Sequence, residues 1–168
     1  ALSAAAAIPS FWIPSKANAM PGVPFVSANE KVRIAFIGIG NRGGEIAQEL
    51  YKTGLCEVVA LCDVDMGAPH TQKLISMFPK VPHFRQMFDK MADKIDAVTV
   101  GVPDHAHFPI TIEAMAHGKH VYVEKPMART FQEIEVMMRA EKKFGVVTQM
   151  GNQGHSEANY FQFKAWKE

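Results

Sequence analysis

With 168 residues the chain has room for one well-buried domain and appendages, and not for two domains of ordinary size. Its 48% hydrophobic and 21% charged residues are those of an ordinary globular protein, which argues against a disordered chain and against a membrane-embedded one. The formal net charge is +1, with no run of Lys and Arg and no basic stripe interleaved with aromatics, so nucleic-acid binding has no electrostatic footing.

Residues 1–30 differ from everything after them: Ala4 to Ala7 form an alanine run, Pro9, Pro14, Pro21 and Pro24 follow, and charge is almost absent. The apolar runs are broken by proline and fall short of the roughly 20 residues a spanning helix needs, so no membrane span is expected. The small-residue pattern Ala17-Asn18-Ala19 looks like the end of an export signal cleaved after Ala19, although no basic segment precedes it. That reading places the protein outside the cytoplasm, in the periplasm. The alternative is a cytoplasmic protein whose proline-rich arm packs on a neighbouring subunit.

From Lys31 onward, short β-branched runs alternate with segments of helical period, which predicts a parallel sheet covered by helices on both faces, a doubly wound α/β fold. Strands are expected at 32–37, 57–62, 97–100, 120–123 and 146–149, with a weaker one near 81–84. Ile46 with Leu50, Phe108 with Ile112 and Met115, and Phe131 with Ile134 and Met138 recur at helical spacing and are expected to face the sheet. Thr130 and Glu133 form a capping-box pattern at the start of the last of these helices. Gly145 supplies its left-handed stop, and Gly118 does the same before the strand at His120. The expected organisation is an arm or signal remnant over 1–30, a Rossmann dinucleotide-binding domain over 31–154, and a connecting helix over 155–168. Cys56 and Cys62 fall at the two ends of one strand, roughly 20 Å apart at about 3.3 Å per residue, and cannot bridge each other.

The first strand runs into Gly38-Ile39-Gly40-Asn41-Arg42-Gly43 and then a helix, the GxGxxG register of a dinucleotide turn. Gly38 permits the tight turn, Gly40 lets the backbone approach the pyrophosphate, and Gly43 allows the helix to pack closely on the strand. The helix N-terminus offers the phosphates unpaired N–H groups and a favourable dipole. Asp63 ends the second strand 25 residues after Gly38, near the spacing of the acid that accepts the adenosine ribose hydroxyls. A carboxylate there repels a 2′-phosphate, and neither Val64 nor Asp65 supplies an arginine, so NAD is expected in preference to NADP.

In such a sheet the ligand lies beyond the carboxyl ends of the strands, where three polar segments collect: Pro103-Asp104-His105-Ala106-His107, Glu124-Lys125-Pro126 and Gly151-Asn152-Gln153-Gly154-His155. Oxidising an alcohol requires a group to take the hydroxyl proton, and Lys125 is the candidate; the plain alternative is a solvated strand-end lysine. A lysine taken out of water beside a cationic ring gives up its proton more readily. His107 reads as a ribose or nicotinamide contact at the start of a helix, or as a capping or core residue. His155 either reaches a substrate or begins the next helix. His105 and His107, two apart on a helix, do not share a face, and no metal is expected.

These residues resemble the Gfo/Idh/MocA family of oxidoreductases. The likeness covers residues 31 to 168 and rests on Ile37-Gly38-Ile39-Gly40-Asn41-Arg42-Gly43, Cys62-Asp63-Val64-Asp65, Val102-Pro103-Asp104-His105-Ala106-His107 and above all Glu124-Lys125-Pro126. The resemblance implies that Pro103 and Asp104 line the nicotinamide, that Glu124 contacts its ribose and that Lys125 is the catalytic lysine. The run from Gln149 to His155, with Asn152 toward the cofactor, resembles an exported subgroup that acts on glycosides, in which oxidation at a sugar C3 is a plausible reaction and a Tat-type signal is common. Family members continue into a second α/β domain that covers the nicotinamide, mediates homo-oligomerisation and supplies a histidine partner to the lysine. This sequence stops at Glu168, with Tyr160, Phe163 and Trp166 at helical spacing, and reads as a fragment of such a protein.

The leading expectation is an NAD-dependent oxidoreductase acting on a sugar or glycoside. A redox-neutral NAD-dependent glycosidase is the alternative within the same chemistry, and net NADH formation separates the two. A third reading, of another class, is a non-catalytic nucleotide-binding or assembly module.

Overall fold

The computed structural model describes residues 31–167. The arm expected over 1–30 lies outside the described residues.

Six strands form one all-parallel sheet: β1 (Val32–Ile37), β2 (Cys56–Cys62), β3 (His83–Phe84), β4 (Ala97–Val100), β5 (His120–Val123) and β6 (Thr148–Met150), in the order β3-β2-β1-β4-β5-β6. The chain starts at the centre, winds to one edge, returns past β1 and winds to the other. This is the Rossmann arrangement, and the reversal between β1 and β4 is the place where such sheets open a crevice for a ligand. One register shift, between Ile34 and Ala35, leaves Val59 of β2 without an opposite residue.

Helices α1 (Asn41–Lys52) and α2 (Pro69–Met77) cover one face of the sheet, α4 (Asp104–Ala116) and α5 (Phe131–Phe144) the other, while the short α3 (Phe88–Met91) precedes β4. The alternation along β1 divides the core accordingly. Ile34 and Phe36 pack with Ala47, Leu74 and Phe78 on the α1–α2 side; Ala35 and Ile37 pack with Met115 and Met137 on the α4–α5 side. Because both faces are covered, the strands are apolar almost throughout, as parallel strands must be.

Two expectations need correction. Phe131 and Met138 do not face the sheet: they are 73% and 56% exposed, and Met137 and Ala140 carry the buried stripe of α5, with Ile134 partly covered beside them. The last strand begins at Thr148, not Val146. Val146 is buried directly after the Gly145 cap, and the Val147 N–H is taken by His120 Nδ1 at 2.9 Å.

The termini of α5 follow the sequence. Thr130 Oγ1 accepts the Glu133 N–H while the Glu133 carboxylate accepts the Thr130 N–H, and Gly145 stands at φ +63°. Gly118, at φ +69°, closes α4 in the same way. A short 3-10 turn (Gln153–His155) leads to α6 (Ala158–Lys167), which has no buried residue among those described. Phe163 and Trp166 on it are 65% and 75% exposed.

Candidate active site

The glycine turn is built by close backbone approach. Gly38 stands at φ +75°, and a Cβ there would lie 2.6 Å from the Gly101 carbonyl oxygen; a Cβ on Gly43 would overlap the Gly38 carbonyl. Helix α1 therefore meets the β1 and β4 ends with no room for a methyl group. Its N-cap, Gly40, makes no side-chain capping bond, so the first N–H groups of the helix remain available to an anion. A Cβ on Gly40 would collide with the ring of His70, from the first turn of α2. His70 therefore shares the space that Gly40 leaves open, and the sequence reading did not single it out.

Asp63 follows β2 and joins this turn directly. One carboxylate oxygen accepts the Ile39 N–H at 2.9 Å and the other accepts the Asp65 N–H at 3.0 Å. A carboxylate has about four acceptor positions, so two remain for ligand hydroxyls.

Gly38, Gly40, Asn41, Arg42, Asp63 and Pro103 line one cleft of about 880 Å³ at the carboxyl ends of β1, β2 and β4. Ile39 is buried beneath it. Arg85 after β3, Glu113 and His105 complete the walls. Burial raises the Cys62 thiol pKa, with further help from the Asp63 and Glu113 carboxylates, to about 11, so this wall residue is a protonated thiol.

The second group of expected residues sits beside the cleft, beyond β5 and β6. Glu124, 4% exposed, is its centre: Oε1 accepts from Gln153 Nε2 and lies 3.5 Å from Arg42 Nε, while Oε2 accepts the Lys125 N–H at 3.2 Å. Arg42 also pairs with Glu45 at 2.8 Å. Burial draws its pKa down, and the Glu45 hydrogen bond with the Glu124 charge outweighs that, leaving it raised. Arg42 thus ties the glycine turn to Glu124. A Cβ on Gly151 would press on both Glu124 Oε1 and the Tyr122 hydroxyl, so that glycine makes room for the buried carboxylate. The Tyr122 phenol is raised by burial and by the neighbouring Glu124.

Lys125 is exposed, and the Lys125–Pro126 peptide is cis. The desolvation expected of this lysine is not supplied by its neighbours in residues 31–167. Asp104, the first residue of α4, and Asn152 are also exposed. His155 stacks on Tyr160, ring centroids 5.2 Å apart, and does not join the cleft.

His107 is placed differently from the expected ligand contact. It is 1% exposed, with Nδ1 2.6 Å from the Pro126 carbonyl oxygen and Nε2 2.9 Å from that of Val102. Its neighbour His105, on the opposite side of α4, is the one that reaches the cleft.

Among the described residues there is no cluster of three or more His, Cys, Asp or Glu able to hold a metal, and no helix is long and apolar enough to cross a membrane.

A switch-point cleft with a glycine cradle, an open helix N-terminus and a strand-end acid defines a dinucleotide-binding domain of the Rossmann type, and these residues fit a dinucleotide. The model of the Gfo/Idh/MocA oxidoreductase family, described as having an NAD-binding Rossmann fold, matches residues 32–152, and the chain belongs to this family.

It is 30% identical over 158 residues to a glycosyl hydrolase family 109 protein of Saccharopolyspora erythraea, covering 86% of this chain and 33% of that protein. It is 30% identical over 170 residues to an α-N-acetylgalactosaminidase of Shewanella oneidensis, covering 82% and 37%. Among solved structures it is similar to myo-inositol 2-dehydrogenase from Lactobacillus plantarum, with TM-score 0.69, 26% identity, and coverage of 81% of this chain and 40% of that one. It is also similar to GenD2 from gentamicin A biosynthesis in complex with NAD, with TM-score 0.66, 26% identity, and coverage of 77% and 37%. The chain spans about a third of the length of the curated relatives it matches.

Proposed function

We propose that the full-length protein is an NAD-dependent enzyme that cleaves glycosides through transient oxidation of a sugar ring carbon, with Lys125 as its acid and base. The observation that carries this reading is the Arg42–Glu124 link, which joins the dinucleotide cleft to the backbone of Lys125. When bound, the nicotinamide ring accepts and returns the hydride. The α1 N-terminus and the turn at Gly38, Gly40 and Gly43 hold the pyrophosphate. Asp63 accepts the adenosine ribose hydroxyls and, by its charge, favours NAD over NADP. Glu124 contacts the second ribose, and Pro103, Asp104 and Asn152 border the reacting ring.

Lys125 Nζ takes the hydroxyl proton as the ring carbon, C3 by the family resemblance, becomes a ketone. The ketone acidifies the adjacent C–H; that proton leaves with the aglycone as its free alcohol, water then adds across the resulting double bond with its hydroxyl on the anomeric carbon and its proton on the neighbouring one, and the lysine proton goes back to the ring-carbon oxygen on reduction. Aglycone and free sugar are the net products, with no change in the cofactor. Relatives named as a family 109 glycosyl hydrolase and an α-N-acetylgalactosaminidase favour this outcome over simple dehydrogenation. The likeness to myo-inositol 2-dehydrogenase supports the second reading, a net NAD-dependent sugar or polyol dehydrogenase. The proposal includes an exported, periplasmic homo-oligomer, supported by the sequence of residues 1–30 and by the family resemblance.

The test is to incubate the full-length protein with NAD and a chromogenic N-acetyl-α-galactosaminide, following aglycone and NADH together. Aglycone release without NADH is the expected result, abolished in Lys125→Ala. NADH accumulation with free sugars establishes the dehydrogenase instead. Oligomerisation without NAD affinity or turnover overturns both and leaves an assembly module.

A further inference from the structure

We infer that His107 is a positioning residue for Lys125: a buried clamp that fixes the backbone on which the catalytic lysine stands. The inference rests on the reading of Lys125 as the proton-carrying group. His107 sits in the first turns of α4 and is 1% exposed, out of reach of a ligand in the cleft. Its two ring nitrogens meet two carbonyls from two different strand-end loops, Val102 after β4 and Pro126 after β5. Pro126 immediately follows Lys125. On the other side, the Lys125 N–H is held by the Glu124 carboxylate at 3.2 Å. The peptide unit before the lysine, and the one that follows Pro126, are thus each tied to a buried side chain, although the lysine itself is exposed.

The geometry explains why an imidazole stands here. It carries a nitrogen on each side of a rigid ring, so a single side chain lies against both carbonyls at once, and the nitrogen that bears the proton donates to its carbonyl. An aromatic ring without nitrogens fills the same space and leaves both carbonyls without their partner. The Ala106 N–H bonds to the Pro103 carbonyl at 2.9 Å, so the helix turn that carries the clamp is itself anchored to the β4 loop. A shift of the Pro126 carbonyl moves the lysine relative to the reacting carbon while leaving the glycine turn and Asp63 untouched.

The experiment measures kcat, glycoside KM and calorimetric NAD affinity for the full-length parent, His107→Phe, His107→Gln and Lys125→Ala. His107→Phe is expected to lower kcat about 10- to 100-fold, the scale of a displacement of about 1 Å, with NAD affinity changed by less than about threefold. His107→Gln, whose amide still donates to a carbonyl, recovers part of that loss. Parent-like kcat in His107→Phe overturns the clamp, and so does a loss of NAD affinity that matches the loss of kcat, which would make His107 a cofactor contact. If His107→Phe does not fold, His107→Gln decides: a kcat drop of at least about threefold at unchanged NAD affinity supports the inference, and parent kcat overturns it. Lys125→Ala separates the two levels, because turnover retained there removes the proposed role of the lysine and the clamp's purpose with it.

Discussion

The carboxylate of Asp63 accepts the backbone N–H of Ile39 at 2.9 Å, so the acid after β2 and the glycine turn after β1 are one hydrogen-bonded unit. Asp63→Ala removes both the proposed ribose acceptor and this brace, and is expected to weaken NAD binding about 10- to 100-fold, the value of hydrogen bonds to a charged group. Asp63→Asn keeps one oxygen and loses the charge. It should weaken NAD less and narrow the proposed preference over NADP, both read by calorimetry with each dinucleotide.

Gly43 and Gly54 separate crowding from backbone strain. A Cβ on Gly43 overlaps the Gly38 carbonyl, whereas one on Gly54, at φ +71°, meets nothing within 4 Å. Gly43→Ala is expected to cost about 1–3 kcal/mol through overpacking and to remove NAD binding, because the turn must open. Gly54→Ala should cost about 1–2 kcal/mol for its left-handed conformation and leave NAD binding intact. Thermal unfolding and calorimetry on the same samples check both.

At the opposite end of the sheet Asp96 is 3% exposed and accepts from Arg33 N, Nε and Nη2 at 2.9, 3.0 and 2.6 Å. Burial pushes its carboxyl up, and the bonds from Arg33 outweigh that, leaving the pKa below the ordinary value. A lowered carboxyl contributes stability above its unfolded pKa and loses it as pH falls through the folded one. Denaturant titrations between about pH 5 and pH 2 should therefore show a loss that Asp96→Asn lacks. At neutral pH that variant should be about 3 kcal/mol less stable, the low end for breaking a buried pair, because Arg33 is partly solvated.

Cys56 and Cys62 are free and buried, and burial raises both thiols, Cys62 to about 11. At pH about 8 the Cys62 thiolate fraction is roughly 100-fold below that of an ordinary cysteine. Native protein should accordingly react with a thiol reagent at least that much more slowly at Cys62 than unfolded protein. Mass spectrometry of the labelled peptides reads the two sites separately.

The parts of this architecture that are local in sequence were legible from it. The glycine turn with Asp63, the capping box at Thr130 and Glu133 and the four longer strands each announce themselves within one element and its flanks. The face of α5 was misread because Met137 and Met138 are adjacent, and helical spacing alone accepts either; only packing on the sheet selects Met137. His70, Arg85 and Glu113 enter the cleft through the order of strands and helices, which no short motif encodes. The direction of His107 was available in part. Residues two apart on α4 point to opposite sides, so His105 and His107 could not both face the ligand, but nothing in the pattern said which one turned inward.

β1 lies between β2, its near neighbour in the chain, and β4, and the Arg33–Asp96 pair at that second seam joins residues 63 positions apart. Closing so long a loop costs somewhat more entropy than the 24-residue closure between Val32 and Cys56 of the β1–β2 pairing, so the β1–β4 seam is expected to form after it. The glycine turn and Asp63 belong to the portion of chain before this seam, and Glu124 and Lys125 to the portion after it. The two portions of the proposed site come together only once the seam has closed, and a dinucleotide that spans them, as proposed, would shift the balance toward the closed chain by mass action.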